Sequence, residues 1–255
     1  MARVIGIFSG KGGPGKTTVA VNLGAILAKK YGKDVTLVDC NLTTSHVGFH
    51  LGMYNYNIAL NHVLRDEYGV DDAIYRHHTG MKVMPASVSL SDLKGVDIEK
   101  LKDVVKKLDE SNDVIILDAG PGLGREAASA FRAAQEILYV SNPYLPSIID
   151  ILRCQSVAAE TGAHPIGIVL NMVSKDRHEM KINEIEYLTE LPVISAIPYD
   201  RDIKKSLAMK VPITMMKPKS AASREMYRLA ARLVEGESVQ TETFAQFLKQ
   251  RLKFW

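Results

Sequence analysis

Cysteine is scarce in this chain of 255 residues: only Cys40 and Cys154 are present, far apart in sequence. Two distant thiols exclude a disulfide scaffold and fit a reducing compartment. No Cys-x-x-Cys pair occurs, so a cysteine-ligated zinc or iron–sulfur centre within one chain is not expected. Long apolar runs are missing as well. A stretch such as Val114-Ile115-Ile116-Leu117 falls far short of the roughly 20 residues a membrane-spanning helix needs. The opening run Val4–Phe8 is too short for a signal peptide and leads straight into Lys11-Gly12-Gly13. Gly-x-Ser-x-Gly and the paired-histidine helix motif are both absent, which removes the α/β-hydrolase and zinc-protease readings. Net charge is only +3, too little by itself to mark a nucleic-acid binder. The expectation is a cytoplasmic protein.

What remains is a globular composition. Hydrophobic residues make up 46% and charged residues 24%, enough to build a core at this length without staples. Short apolar runs alternate with helix-length amphipathic stretches, the pattern of βα units on a parallel sheet. Residues 3–9, 34–39, 81–86, 113–118, 136–141, 165–171 and 192–197 read as strands. Residues 16–31, 98–110, 124–134, 146–161, 179–188 and 220–235 read as helices, with Gly32 and Gly162 placed as C-terminal caps. The predicted fold is α/β and P-loop NTPase-like: a mostly parallel sheet of about seven or eight strands with helices on both faces. Residues 1–235 form the expected domain. Residues 236–243 are a polar tether, and residues 244–255 a basic tail.

Gly10-Lys11-Gly12-Gly13-Pro14-Gly15-Lys16-Thr17 fits G-x-x-x-x-G-K-[ST] and lies between an apolar strand and a helix. Glycines let successive N–H groups turn toward phosphates at the positive end of that helix. Lys16 is expected to reach the β/γ-phosphates, and the Thr17 hydroxyl to hold Mg²⁺. Asp118 ends an apolar strand, where it would orient the metal or its water. Asp39 ends another, ahead of a polar loop suited to sensing the γ-phosphate. Adenine is the expected base, because Asn171-Met172-Val173-Ser174 lacks the Asn-Lys-x-Asp of guanine readers.

Lys11, a second lysine early in Ser9-Gly10-Lys11-Gly12-Gly13-Pro14-Gly15-Lys16-Thr17-Thr18, is diagnostic. The loop resembles the deviant Walker A loop of the MinD/ParA class of ATPases, nearest the MinD branch. The likeness extends through Val38-Asp39, Leu51-Gly52, Val83-Met84-Pro85-Ala86, Leu117–Leu123, Val169-Leu170-Asn171 and Ile197-Pro198-Tyr199-Asp200. It implies ATP with Mg²⁺, and a homodimer that sandwiches two nucleotides. It further implies that Lys11 reaches the partner's phosphates, that Asn171 contacts adenine, and that Gly10 through Thr18 line the phosphates. Thr17, Asp39 and Asp118 are the implied metal residues.

Two positions depart from the family pattern. Pro14 stands where Val or Thr is usual, which removes one N–H at a cost on the order of 1 kcal/mol. Asn41 replaces the second aspartate of the family's Asp-x-Asp. An amide accepts no proton at neutral pH, so Asn41 would orient water without activating it, and hydrolysis should be slow. Catalysis is thus expected from Lys11, Asp39 and Asn41.

Weaker features read as follows. His77-His78 suggests a surface turn, and Met215-Met216 loop packing. Arg224, Arg228 and Arg232 recur every four residues beside Glu225, which favours a solvated face over a nucleic-acid stripe. The tail is more informative. It holds Lys249, Arg251 and Lys253 and no acid, so residues 1–243 are neutral in sum. As a helix, Phe244, Phe247, Leu248, Leu252, Phe254 and Trp255 share one arc, with Arg251 having to snorkel. Such a segment would lie reversibly on an anionic membrane, at the inner face of the cell membrane. The alternatives are a tail docked on its own domain, a ParA-like DNA-associated partition ATPase, and a non-hydrolysing ATP-gated scaffold. A protein regulator or cargo is a further possible partner.

Overall fold

A computed structural model of the chain describes residues 1–174 and 176–235; the tether and the tail lie outside the described residues. Eight strands form one sheet: β1 Arg3–Phe8, β2 Val35–Cys40, β3 Tyr75–Arg76, β4 Lys82–Met84, β5 Val114–Ala119, β6 Glu136–Ser141, β7 His164–Val173 and β8 Val193–Pro198. The helices are α1 Lys16–Tyr31, α2 Val47–Leu51, α3 Leu60–Leu64, α4 Leu101–Leu108, α5 Arg125–Ala133, α6 Leu145–Ala159, α7 Ile182–Thr189, α8 Arg201–Met209, α9 Ile213–Met216 and α10 Ala221–Glu235. Strand order is β3-β4-β2-β5-β1-β6-β7-β8, and every neighbouring pair is parallel except β3 with β4. The chain runs outward from β1 first toward β2 and later toward β6, which opens a crevice at the carboxyl end of β1.

Two-residue alternation along the strands explains their near-continuous apolar sequence. Val4, Phe8, Ile115, Leu117, Ile137 and Tyr139 face one layer, built from α3 to α7. Ile5, Ile7, Ile116, Leu138 and Val140 face the other, built from α1, α2, α9 and α10. Phe8 stacks on Phe131 of α5 with ring centroids 3.7 Å apart, fixing one layer on the first strand. Helix α1 ends at Gly32, whose left-handed backbone lets its N–H cap the Leu27 carbonyl.

The seven expected strands are present, and an eighth is added. β3 is two residues long, too short to carry a period. The expected helix at 98–110 contains α4 flanked by 3-10 turns at Ile98–Lys100 and Asp109–Ser111. The nine-residue α8 went unexpected because Ser206 is its only fully buried residue, leaving no apolar stripe to read. Met215 and Met216 fall in α9 rather than a loop. His77 corrects the surface-turn expectation: it is buried, and only His78 is exposed.

Candidate functional site

The glycine-rich loop joins β1 to α1 and is shaped mainly by backbone. The Ser9 hydroxyl donates to the Lys11 carbonyl at 2.8 Å, closing the first bend. Gly15 has φ 89° and sits where a Cβ would come within 2.2 Å of Asn171 Nδ2, so no other residue fits without moving its surroundings. That amide nitrogen donates to the Pro14 carbonyl at 2.7 Å. The Asn142 side chain in turn donates to the Asn171 carbonyl at 3.0 Å, bracing β7 against the segment after β6. Asn171 therefore buttresses the loop from beneath, while its buried Oδ1 has no hydrogen-bond donor among the described residues. Lys11, Gly12 and Gly13 are exposed, Thr17 is half-buried, and Pro14, Lys16 and Thr18 are buried.

Two carboxylates stand side by side at the sheet's carboxyl edge, because parallel register pairs Asp39 of β2 with Asp118 of β5. Lys16 Nζ lies 2.9 Å from Asp118 Oδ1, with both side chains buried. Asp39 Oδ2 accepts from Ser45 Oγ at 2.8 Å and from the N–H groups of His46 and Val47 at 3.2 Å. Its Oδ1 accepts from Asn41 N at 3.1 Å. Burial, followed by repulsion from Asp118, nevertheless pushes the Asp39 carboxyl up to about 7. Burial also raises the intervening Cys40 thiol well above its ordinary range, so it is no thiolate nucleophile.

This donor set suits a magnesium ion. Mg²⁺ is typically held by one or two carboxylates together with substrate phosphates, and two crowded carboxylates, of which only Asp118 is paired with a lysine, gain from a divalent charge between them. Asp118, Asp39 and the hydroxyl of Thr17, next to Lys16, are the residues available to hold it.

The loop after β2 is fixed by side chains. Asn41 Nδ2 donates to the Thr44 carbonyl at 2.7 Å, while its Oδ1 accepts from Thr44 N at 3.3 Å and Thr44 Oγ1 at 3.1 Å. Thr43 donates through N (3.1 Å) and Oγ1 (2.5 Å) to Glu126 Oε1 of α5. Sequence reasoning missed Glu126 and Ser45. A run of hydroxyl residues after Asp39-Cys40-Asn41 was the available signal for Ser45. An acid in the first turn of a helix was the only signal for Glu126. Met172, exposed and at φ 59°, was missed too; its Cε lies 3.6 Å from the Cβ position of Gly15. Lys16, Asp39, Asn41 and Asp118 come together on one side of β1. Asn171 arrives from the other side, beneath Gly15.

Residues 5–213 match the CobQ/CobB/MinD/ParA nucleotide-binding domain. The chain belongs to that family. It is 35% identical over 234 residues to an uncharacterized ATP-binding protein of Methanocaldococcus jannaschii, covering 92% of this chain and 88% of that one. Among solved structures, the septum site-determining protein MinD of Pyrococcus horikoshii, complexed with Mg-ADP, superposes with a TM-score of 0.89. It is 29% identical and covers 95% of this chain and 100% of its own. The cell division ATPase MinD of Pyrococcus furiosus gives 0.88 at 32% identity, covering 92% and 99%. The fold is thus that of MinD-like ATPases.

Proposed function

We propose that this protein is a positioning ATPase of the MinD kind: it binds ATP with Mg²⁺, dimerises around it, hydrolyses it slowly and associates reversibly with membrane. One observation carries the reading. Lys16 and Asp118 are paired and buried beneath a glycine loop whose other lysine, Lys11, is exposed and forms no ion pair with any described residue. A buried lysine serves the phosphates of its own subunit. An exposed one is available to a second copy.

The roles divide as follows. Backbone N–H groups from Gly10 to Thr18, excepting Pro14, hold phosphate oxygens, and Lys16 moves between Asp118 and the phosphates. Thr17, Asp39 and Asp118 would hold Mg²⁺, which when bound neutralises phosphate charge. The donor-less Oδ1 of Asn171 suits the exocyclic amine of adenine, which supplies the hydrogen it lacks. Asn41, its amide committed to Thr44, accepts no proton, so turnover is slow. Lys16→Ala should abolish nucleotide binding, whereas Lys11→Ala should impair dimerisation and hydrolysis. Asn41→Asp should raise turnover.

Residues 244–255 would supply the membrane contact. Three basic residues contribute about 1 kcal/mol each at an anionic surface, and the aromatic residues add apolar burial. One tail binds weakly; two tails on an ATP dimer gain avidity of about 10²-fold or more. The arginine face of α10 does not favour a DNA partner. Arg228 pairs with Glu225, and Arg224 and Arg232 donate to the Lys219 and Ile194 carbonyls. The test is sedimentation with anionic liposomes: retention in ATP, much less in ADP, and loss on deleting residues 244–255. Equal retention without the tail, or no ATP-dependent dimer, overturns the reading.

A further inference from the structure

The carboxylate of Glu126 has no part in the roles above. It sits half-buried in the first turn of α5, and only Oε1 is taken up by Thr43. Its Oε2 faces Gly120, two residues beyond Asp118. A Cβ on Gly120 would stand 3.1 Å from Glu126 Oε2 and 3.9 Å from Asn41 Oδ1. Both side chains thus border the same small space, left open by a residue without a side chain. Across it from Asn41, whose amide cannot take a proton, stands a group that can.

We propose that Glu126 is the water-activating carboxylate of this site, standing in for the acid that Asn41 is not. This inference rests on the ATPase reading above. A water oxygen would bond to the γ-phosphorus as the bond to the β–γ bridging oxygen breaks. That oxygen keeps the electron pair and leaves on ADP. One proton of the water passes to Glu126 and from there to the released phosphate. Thr43 acts as a positioning residue, since its two donors fix the carboxylate at the loop. Because Thr43 holds the carboxylate from the loop, hydrolysis is tied to the conformation of residues 41–45.

The test uses the full chain in four forms: wild type, Glu126→Gln, Asn41→Asp and the double variant. ATP affinity is measured by equilibrium binding, phosphate release under single turnover, and amide exchange of residues 43–47 without nucleotide. Glu126→Gln keeps an oxygen that can accept from Thr43, so binding and exchange should stay within about twofold. Phosphate release should fall about a hundredfold or more, the low end for a lost general base. Adding Asn41→Asp should restore release, because a carboxylate returns to the same space. Unchanged release in Glu126→Gln overturns the proposal. So does a loss that Asn41→Asp fails to restore, which would make Glu126 a latch for Thr43. Wild type that binds ATP but releases no phosphate in a day also overturns it. Wild type that binds no ATP refutes instead the ATPase reading beneath it.

Discussion

The loops after β1 and β2 share one sheet edge, with β5 between their strands, but are built by opposite means. The first is a backbone device: glycines, one serine hydroxyl closing a bend, and an asparagine from β7 bracing it from below. The second is a side-chain device, in which the Asp39 carboxylate accepts from Asn41 N and the Ser45 hydroxyl, Asn41 holds Thr44, and Thr43 donates to the Glu126 carboxylate. A cradle for a constant ligand benefits from rigidity, since pre-organised donors need no rearrangement on binding. A loop that must report a change of ligand benefits from contacts that can be exchanged one at a time.

The contrast breaks most severely at Gly15. Gly15→Ala forces a side chain into a left-handed backbone and onto Asn171, costing about 1–2 kcal/mol for the conformation alone. Loss of the loop geometry should lower ATP affinity by at least about tenfold, measured by calorimetric titration. Affinity within about twofold of wild type would mean that the cradle is not held by its backbone.

Ser45→Ala probes the second loop and should act differently. It leaves the buried Asp39 with backbone donors only, costing about 1–2 kcal/mol of stability by urea denaturation. ADP affinity should change little, because the phosphate loop is untouched. Equal losses in both measurements would erase the distinction between the loops.

The effect smallest at neutral pH lies outside both. His77 Nδ1 and the Thr79 hydroxyl share a hydrogen bond at 2.9 Å, and the His78 ring lies tilted against it with centroids 4.0 Å apart. Burial, then the neighbouring His78, lowers its pKa from 6.5 to about 4. Between those values the unfolded chain binds more protons, so stability rises with pH from about 4 to 6.5. His77→Gln should flatten that rise by no more than about 1 kcal/mol per pH unit. An unchanged slope would show that His77 stays charged in the fold.

The two loops also differ in how much the sequence revealed. The phosphate cradle is local, so its glycines, Lys16 and the following helix stand in consecutive residues. Asp39 and Asp118 were legible as polar residues ending apolar strands. Glu126 was not, because its partner Thr43 lies 83 residues away and no spacing rule links them. Asn171 was found through family resemblance, whereas its hold on the Pro14 carbonyl needed the fold. Short or weakly buried elements such as β3 and α8 carry too few core positions for a pattern to register. His77 looked exposed because polar neighbours surround it in sequence, while its burial comes from residues elsewhere in the chain.

Arg3 has a consequence for anyone labelling the protein. It pairs with Glu136 at 2.7 Å and donates to the Leu233 carbonyl, so the head of β1 grips the last described turn of α10. Both ends of the described fold therefore share one corner, and β1 separates that corner from the phosphate loop by about 20 Å. A fluorophore attached at Met1 would stand beside Leu233 and Val234. Such a reporter would register events at the end of α10 sooner than events at the phosphate loop. A bulky amino-terminal fusion would crowd the same corner.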